Sequence, residues 1–187
     1  MIAVFVFYVK FKLKEVNMLN KIIAKKINQQ MNREFQASYL YLDIGNYYGS
    51  VGLSGFKAWF NMQFQIELEH ARVFITYLLR HGEKIDFDNA KSNCKHFCDF
   101  MEPMKFSMLN ERANSLSINE IYNLARDVND YDTVSFIKDF INKYLTERDC
   151  NFNKFIVEID NSGFEEMNFR IGESNFSLNL RKNQSEL

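Results

Sequence analysis

The chain has 187 residues, a formal net charge of −1 and 47% hydrophobic content. Near-neutral charge excludes the basic face that electrostatic binding to nucleic acid requires, and the length suits one domain with a sizeable core. Seven glycines and one proline leave few turn signals, so long helices are expected. Three cysteines, Cys94, Cys98 and Cys150, are an odd count in a chain without a signal-peptide pattern, which predicts reduced thiols and a cytoplasmic location.

Residues 1–17 open with the apolar run "MIAVFVFYV". The run is too short to span a bilayer and lacks the charged start and small-residue cleavage site of a signal peptide. It is read as an N-terminal extension, with no membrane role. From Leu19 to about Tyr48, Ile23, Ile27, Met31, Ser38 and Tyr41 recur at helical spacing. Gly45, Gly49, Gly52 and Gly55 form the densest cluster of helix breakers, placing a turn near 49–55. A second helix is expected from about Gly55 to Arg80, closed by His81 and Gly82. Residues 83–104 have no clean period and contain Pro103, so they read as a long crossing connection. A third helix follows from about Lys105 to Val128 on the stripe Asn114, Ile118, Ile121, Ala125. After "NDYD", a fourth runs from about Thr133 to Asp160 through Ile137, Phe140, Tyr144, Phe155 and Ile159. Two helical hairpins joined by one long connection predict an all-α four-helix bundle over 18–162. The tail 163–187 is expected to hold a short fifth helix.

Each predicted helix sets a carboxylate on its apolar stripe. Glu34 lies seven residues from both Ile27 and Tyr41, and Glu67 and His70 interrupt the stripe of "FQIELEHARVF". Glu111 is three residues before Asn114, and Glu147 is seven after Phe140. Carboxylates gathered in one interior repel each other and are driven towards protonation, unless a cation sits between them. Four carboxylates and one imidazole suit iron or manganese ahead of zinc, and the absence of cysteine argues against a structural zinc site. A di-iron bundle asks for two single glutamates and two Glu-x-x-His pairs. Here "ELEH" supplies one pair, while the second is broken by Cys150 three residues after Glu147.

With these residues in place, the sequence resembles the non-haem ferritins of the ferritin-like di-iron family. "NREFQASYLYL" is similar to their first-helix segment, "ELEHA" to their second-helix ligand motif, and "LARDVNDYDTVSFI" to their third-to-fourth helix turn. The resemblance covers about Met18 to Asp160 and implies a ferroxidase that oxidises Fe(II) with O2 or peroxide and stores ferric mineral. It also implies a homo-oligomeric cage of twenty-four chains. It assigns Glu34, Glu67 and His70 to a first iron, with Glu67 bridging to a second held by Glu111 and Glu147, and Tyr41 beside the centre.

The fourth helix departs from the family pattern. Lys143 and Tyr144 stand where bacterial ferritins carry Glu and Gln, Thr146 replaces another Glu, and Ile66 replaces the Glu before the bridging ligand. A third iron site is therefore not expected, and Lys143 brings a positive charge towards the second. Ser135 and Lys138 replace the acidic pair of the threefold channel. Leu68 stands where bacterioferritin has its haem-ligating methionine, so no haem is expected. A structural subunit with weak catalysis and a rubrerythrin-like redox protein are the alternatives; the second would need the missing histidine. "CKHFC" (Cys94, His96, Cys98) is too loose for a metal motif, Trp59 reads as packing, and His81 as a helix-end residue.

Overall fold

The computed structural model describes residues 19–89 and 97–145, with backbone only at 144 and 145. Four helices follow in chain order: α1 (Lys21–Ser50), α2 (Ser54–Arg80), α3 (Glu102–Asp127) and α4 (Tyr131–Phe140). The last passes into a π-helical turn, Ile141–Leu145. No strand occurs among the described residues, and the elements form a four-helix bundle.

Local chemistry explains the helix ends. Asn20 caps α1 by accepting from the Ile22 N–H at 2.9 Å, and Asp130 caps α4 by accepting from the Thr133 N–H at 3.0 Å, each satisfying a donor the helix leaves open. Gly52 and Gly82 take positive φ in the turns after α1 and α2, where a side chain would be strained. Pro103, expected in the connection, instead occupies the first turn of α3, where its missing N–H costs nothing. That is why α3 begins three residues earlier than the periodicity suggests.

The turn between α1 and α2 falls within the expected 49–55 window, and α1 runs through Gly45 and Gly49 to Ser50. Their role is close approach. A Cβ on Gly45 would stand 2.9 Å from Asn61 Oδ1 and 3.5 Å from the Lys57 carbonyl oxygen, so α2 crosses where α1 has no side chain.

Contacts between helices fix their directions. Along α1, Lys26, Tyr41 and Tyr48 meet Glu120, Glu111 and Phe100 in turn, so α1 and α3 are antiparallel. Between α2 and α4, Tyr77 meets Thr133, Phe74 meets Phe136, and His70 meets Phe140, again antiparallel. Since α1 and α2 form an antiparallel hairpin, α2 and α3 must be parallel. Their connection has to travel the length of a ~40 Å helix. Its described residues lie along the outside of α1, with Glu83 at Lys21, Asp86 at Asn28, Phe87 at Phe35 and Phe97 at Tyr47. Asn28 and Asn32 act as a side-chain rail. Their amides donate to the Asp86 carbonyl, both at 2.8 Å, and their oxygens accept from the Asp86 and Asp88 N–H groups, both at 3.0 Å. These bonds satisfy backbone that a helix surface cannot otherwise serve.

The interior divides into two apolar clusters. One gathers Tyr41, Ile44, Tyr48, Phe56, Trp59 and Phe60 with Met101 and Met104; Trp59 packs edge-on against Phe60, as expected of a packing residue. The other gathers Ile23, Ile27, Met31, Phe74, Leu78, Ile118, Ile121, Ile137 and Phe140. Between them lie the buried polar side chains Gln30, Glu34, Gln63, Glu67, His70 and Asn114. The extension 1–17, the tail 163–187 with its expected helix, and most of the predicted fourth helix beyond Leu145 lie outside the described residues.

Candidate metal centre

Glu34, Glu67 and His70 meet in the middle of the α1–α2 interface, with relative exposures of 2%, 0% and 1%. Glu67 and His70 share a face because they are three residues apart on α2. Glu34 faces them from α1, on the stripe of Ile27 and Met31. One ligating atom from each lies within 4.8 Å of the other two, a spacing that fits one ion. His70 Nδ1 is the atom turned inward, 3.0 Å from Glu67 Oε2 and 3.8 Å from Glu34 Oε2. The Phe140 ring closes over the imidazole edge-on, with centroids 5.2 Å apart.

Electrostatics match a site waiting for a cation. Burial pushes the Glu34 carboxyl up to about 7; the His70 hydrogen bond opposes this, and the Glu67 charge adds to it. Burial lowers His70, but its bonds to Glu34 and Glu67 outweigh that and raise it to about 9. Without a metal, therefore, the imidazole is protonated near neutral pH and Nδ1–H donates to Glu67. The imidazole can ligate only by giving up that proton. Two carboxylates and one imidazole are a hard-oxygen-plus-nitrogen donor set, which suits a first-row divalent ion.

The other expected residues are arranged differently. Tyr41 is buried and its hydroxyl donates to Glu111 Oε1, joining α1 to α3. Glu111 is half-buried and outside the compact group formed by the other three. Glu147 lies outside the described residues, as do Cys94, His96 and Cys150, while Cys98 is exposed with a free thiol. Lys143 is exposed. Ser135 and Lys138 are exposed on α4, with the Lys138 ammonium 5.9 Å from the Tyr122 ring centroid. His81 caps the end of α2, as expected.

Sequence reasoning missed Gln30, fully buried with its Nε2 donating to Glu34 Oε1 at 2.6 Å. The available signal was its position, one turn before Glu34 on the same stripe. It also missed Gln63, 2% exposed on α2, one turn before Glu67. The Asn28–Asn32 rail was legible only as two poor helix formers spaced four apart.

Comparison with known proteins finds relatives among the ferritins. The bacterial non-heme ferritin of Staphylococcus epidermidis (strain ATCC 12228) is 29% identical over 130 residues, covering 70% of this chain and 78% of that one. The counterpart from Staphylococcus aureus (strain USA300) is 26% identical over the same shares. An open pore ferritin from the archaeon Archaeoglobus fulgidus superposes with a TM-score of 0.78 at 21% identity, covering 86% of this chain and 98% of that one; at that identity the likeness speaks for the fold. The ferritin-like domain pattern matches residues 24–161, and the chain belongs to the ferritin family.

Proposed function

We propose that the protein stores iron by binding Fe(II), oxidising it and keeping the ferric product inside an assembled shell. The observation that carries this reading is the buried triad of Glu34, Glu67 and His70, whose ligating atoms converge within 4.8 Å. Iron is the substrate. The first ferrous ion takes one oxygen each from Glu34 and Glu67 and the Nδ1 of His70, once the imidazole has lost its proton. A second ion shares Glu67 and is held by Glu111 and Glu147, with Tyr41 orienting Glu111. Two Fe(II) each give up one electron, and one O2 takes both with two protons and leaves as H2O2. With peroxide as oxidant, the same two electrons and two protons give two waters.

Each residue has a distinct part in this scheme. Glu67 holds the two ions close, the low-dielectric interior strengthens their attraction to the carboxylates, and Phe140 shields the imidazole from water. The protons displaced from Glu34 and His70 are released as the cation enters. No haem enters the scheme. The working particle is a homo-oligomer, read here as a twenty-four-chain cage in the cytoplasm. No described helix is long and apolar enough to cross a membrane.

One observation favours a second reading, that of a shell-building subunit with slow catalysis. Glu111 is half-buried and tied to Tyr41 rather than grouped with the triad, so the second ion meets a less prepared site. Anaerobic Fe(II) titration followed by admission of air separates the readings, through the number of irons bound and oxidised per chain. Two per chain with rapid oxidation supports the ferroxidase. One per chain with slow oxidation supports the shell subunit, and no saturable binding overturns both. Light scattering should find a particle far larger than the 22.2 kDa chain; a monomer or dimer would contradict the shell.

A further inference from the structure

The triad has a neighbour that the scheme above leaves unused. Gln30 lies one helical turn before Glu34, between Ile27 and Met31, which are both fully buried, and is itself 0% exposed. A primary amide in an apolar stripe is costly unless its hydrogen bonds are made. Its Nε2 donates to Glu34 Oε1 at 2.6 Å, while its Oε1 meets no donor among the described residues. The Glu34 carboxylate is thereby divided: Oε1 is engaged by the amide, and Oε2 is the oxygen 3.8 Å from His70 Nδ1.

We propose that Gln30 is a positioning residue, which holds Glu34 so that a single carboxylate oxygen faces the cation and the ligand binds through one atom. The proposal rests on the reading of Glu34, Glu67 and His70 as a cation site. An unengaged carboxylate can rotate and take a metal through both oxygens, which changes coordination number and weakens preference for one ion over another. Fixing it fits the general pattern that ligands are oriented by the groups hydrogen-bonded to them. The open Oε1 adds an acceptor beside the site, of the kind needed by a water carried in with a divalent cation. A bond between residues four apart on one helix can also be purely structural, adding a little helix stability. The two roles differ in what they do to a bound metal.

The test uses the full chain, with Co(II) as probe because its visible bands report coordination. Gln30→Met keeps side-chain length, removes the donor and introduces no new buried polar group. The assigned role requires an affinity loss of ~10–100-fold, typical of losing an orienting partner, with visible bands displaced as Glu34 changes its binding mode. Far-UV circular dichroism and particle size should stay as in the parent. Gln30→Asn, which withdraws the amide by one methylene, is the second variant should Met disturb folding, and should shift the same bands. Parent-like affinity and bands in a folded variant overturn the assignment while leaving the cation site intact. Absence of Co(II) binding in the parent overturns the site and this proposal together.

Discussion

The α1–α2 hairpin brings three ligating groups together in a fully buried cluster, whereas the described part of the α3–α4 hairpin offers Glu111, half-buried and bonded to Tyr41, and the ring of Phe140. Packing explains the difference. The first two helices lie against each other along their length, and Gly45 lets them approach closely, so side chains in the middle of that interface have few alternative rotamers. The third helix approaches the first less closely. Among the described residues, ligand geometry is thus built in on the α1–α2 side of the bundle. The lesson is that residues equal in a motif can be unequal in preorganisation, and preorganisation decides which site fills first.

Removing the shared ligand should have the largest effect. Glu67→Ala takes a carboxylate from the preformed side and, in the proposed scheme, from both ions. Metal affinity should fall by more than the ~10–100-fold expected for losing an outer partner, and rapid Fe(II) oxidation should disappear. The metal-free protein should lose stability, because the protonated His70 imidazole loses its buried partner at 3.0 Å. Unchanged oxidation kinetics would place the chemistry elsewhere.

Proton linkage sharpens the comparison next. Both shifted groups of the triad bind protons more tightly folded than unfolded. Glu34 moves from 4.5 to about 7 and His70 from 6.5 to about 9. Stability from Glu34 is therefore fully present below pH 4.5 and lost as pH rises through about 7. That from His70 is fully present below 6.5 and lost through about 9. In chelator, the melting temperature should fall steadily between pH 5 and 9. With a saturating divalent ion the fall should flatten, since the ion replaces the protons. A flat profile in chelator would mean that the triad is not proton-loaded.

Tyr41→Phe tests the link between the hairpins and should have the smallest effect. It removes the hydroxyl that donates to Glu111 and leaves the triad in place. The first metal equivalent should bind with parent affinity, while the second weakens by about 1–2 kcal/mol, as for a hydrogen bond to a charged group. Isothermal titration with resolved equivalents reads this directly. Equal weakening of both would mean that the hairpins are not independent contributors.

Much of this was legible in the sequence, and the remainder has identifiable physical reasons. Apolar spacing located the buried stripes, since Ile23, Ile27, Met31, Ile118, Ile121 and Ile137 are all core residues. The triad could be read because i, i+3 spacing on α2 and the stripe on α1 fix which faces meet. The glycine cluster located the turn, but the close approach of α2 at Gly45 stayed hidden, because only the partner helix shows that use of a glycine. Pro103 was misread because proline ends a helix interior yet suits a first turn. Gln30 and the Asn28–Asn32 rail stayed hidden because a polar residue's partner is set by tertiary structure, and single-sequence periodicity does not see it.

The rail that guides the connection along α1 bears on the order of folding. Contacts inside each hairpin close short loops, whereas Tyr41–Glu111 and Lys26–Glu120 join residues 70 and 94 apart. Loop entropy grows slowly with length, about 0.6 kcal/mol per doubling, so the long crossing costs little final stability. It does delay the contacts between hairpins, because non-local pairings form late. The first hairpin carries the whole triad, so a cation has its ligands before the second hairpin docks. Pulse-labelled hydrogen exchange should find α1 and α2 amides protected ahead of those in α3, with divalent metal widening the gap. Simultaneous protection of all four helices would show that the bundle condenses as one nucleus.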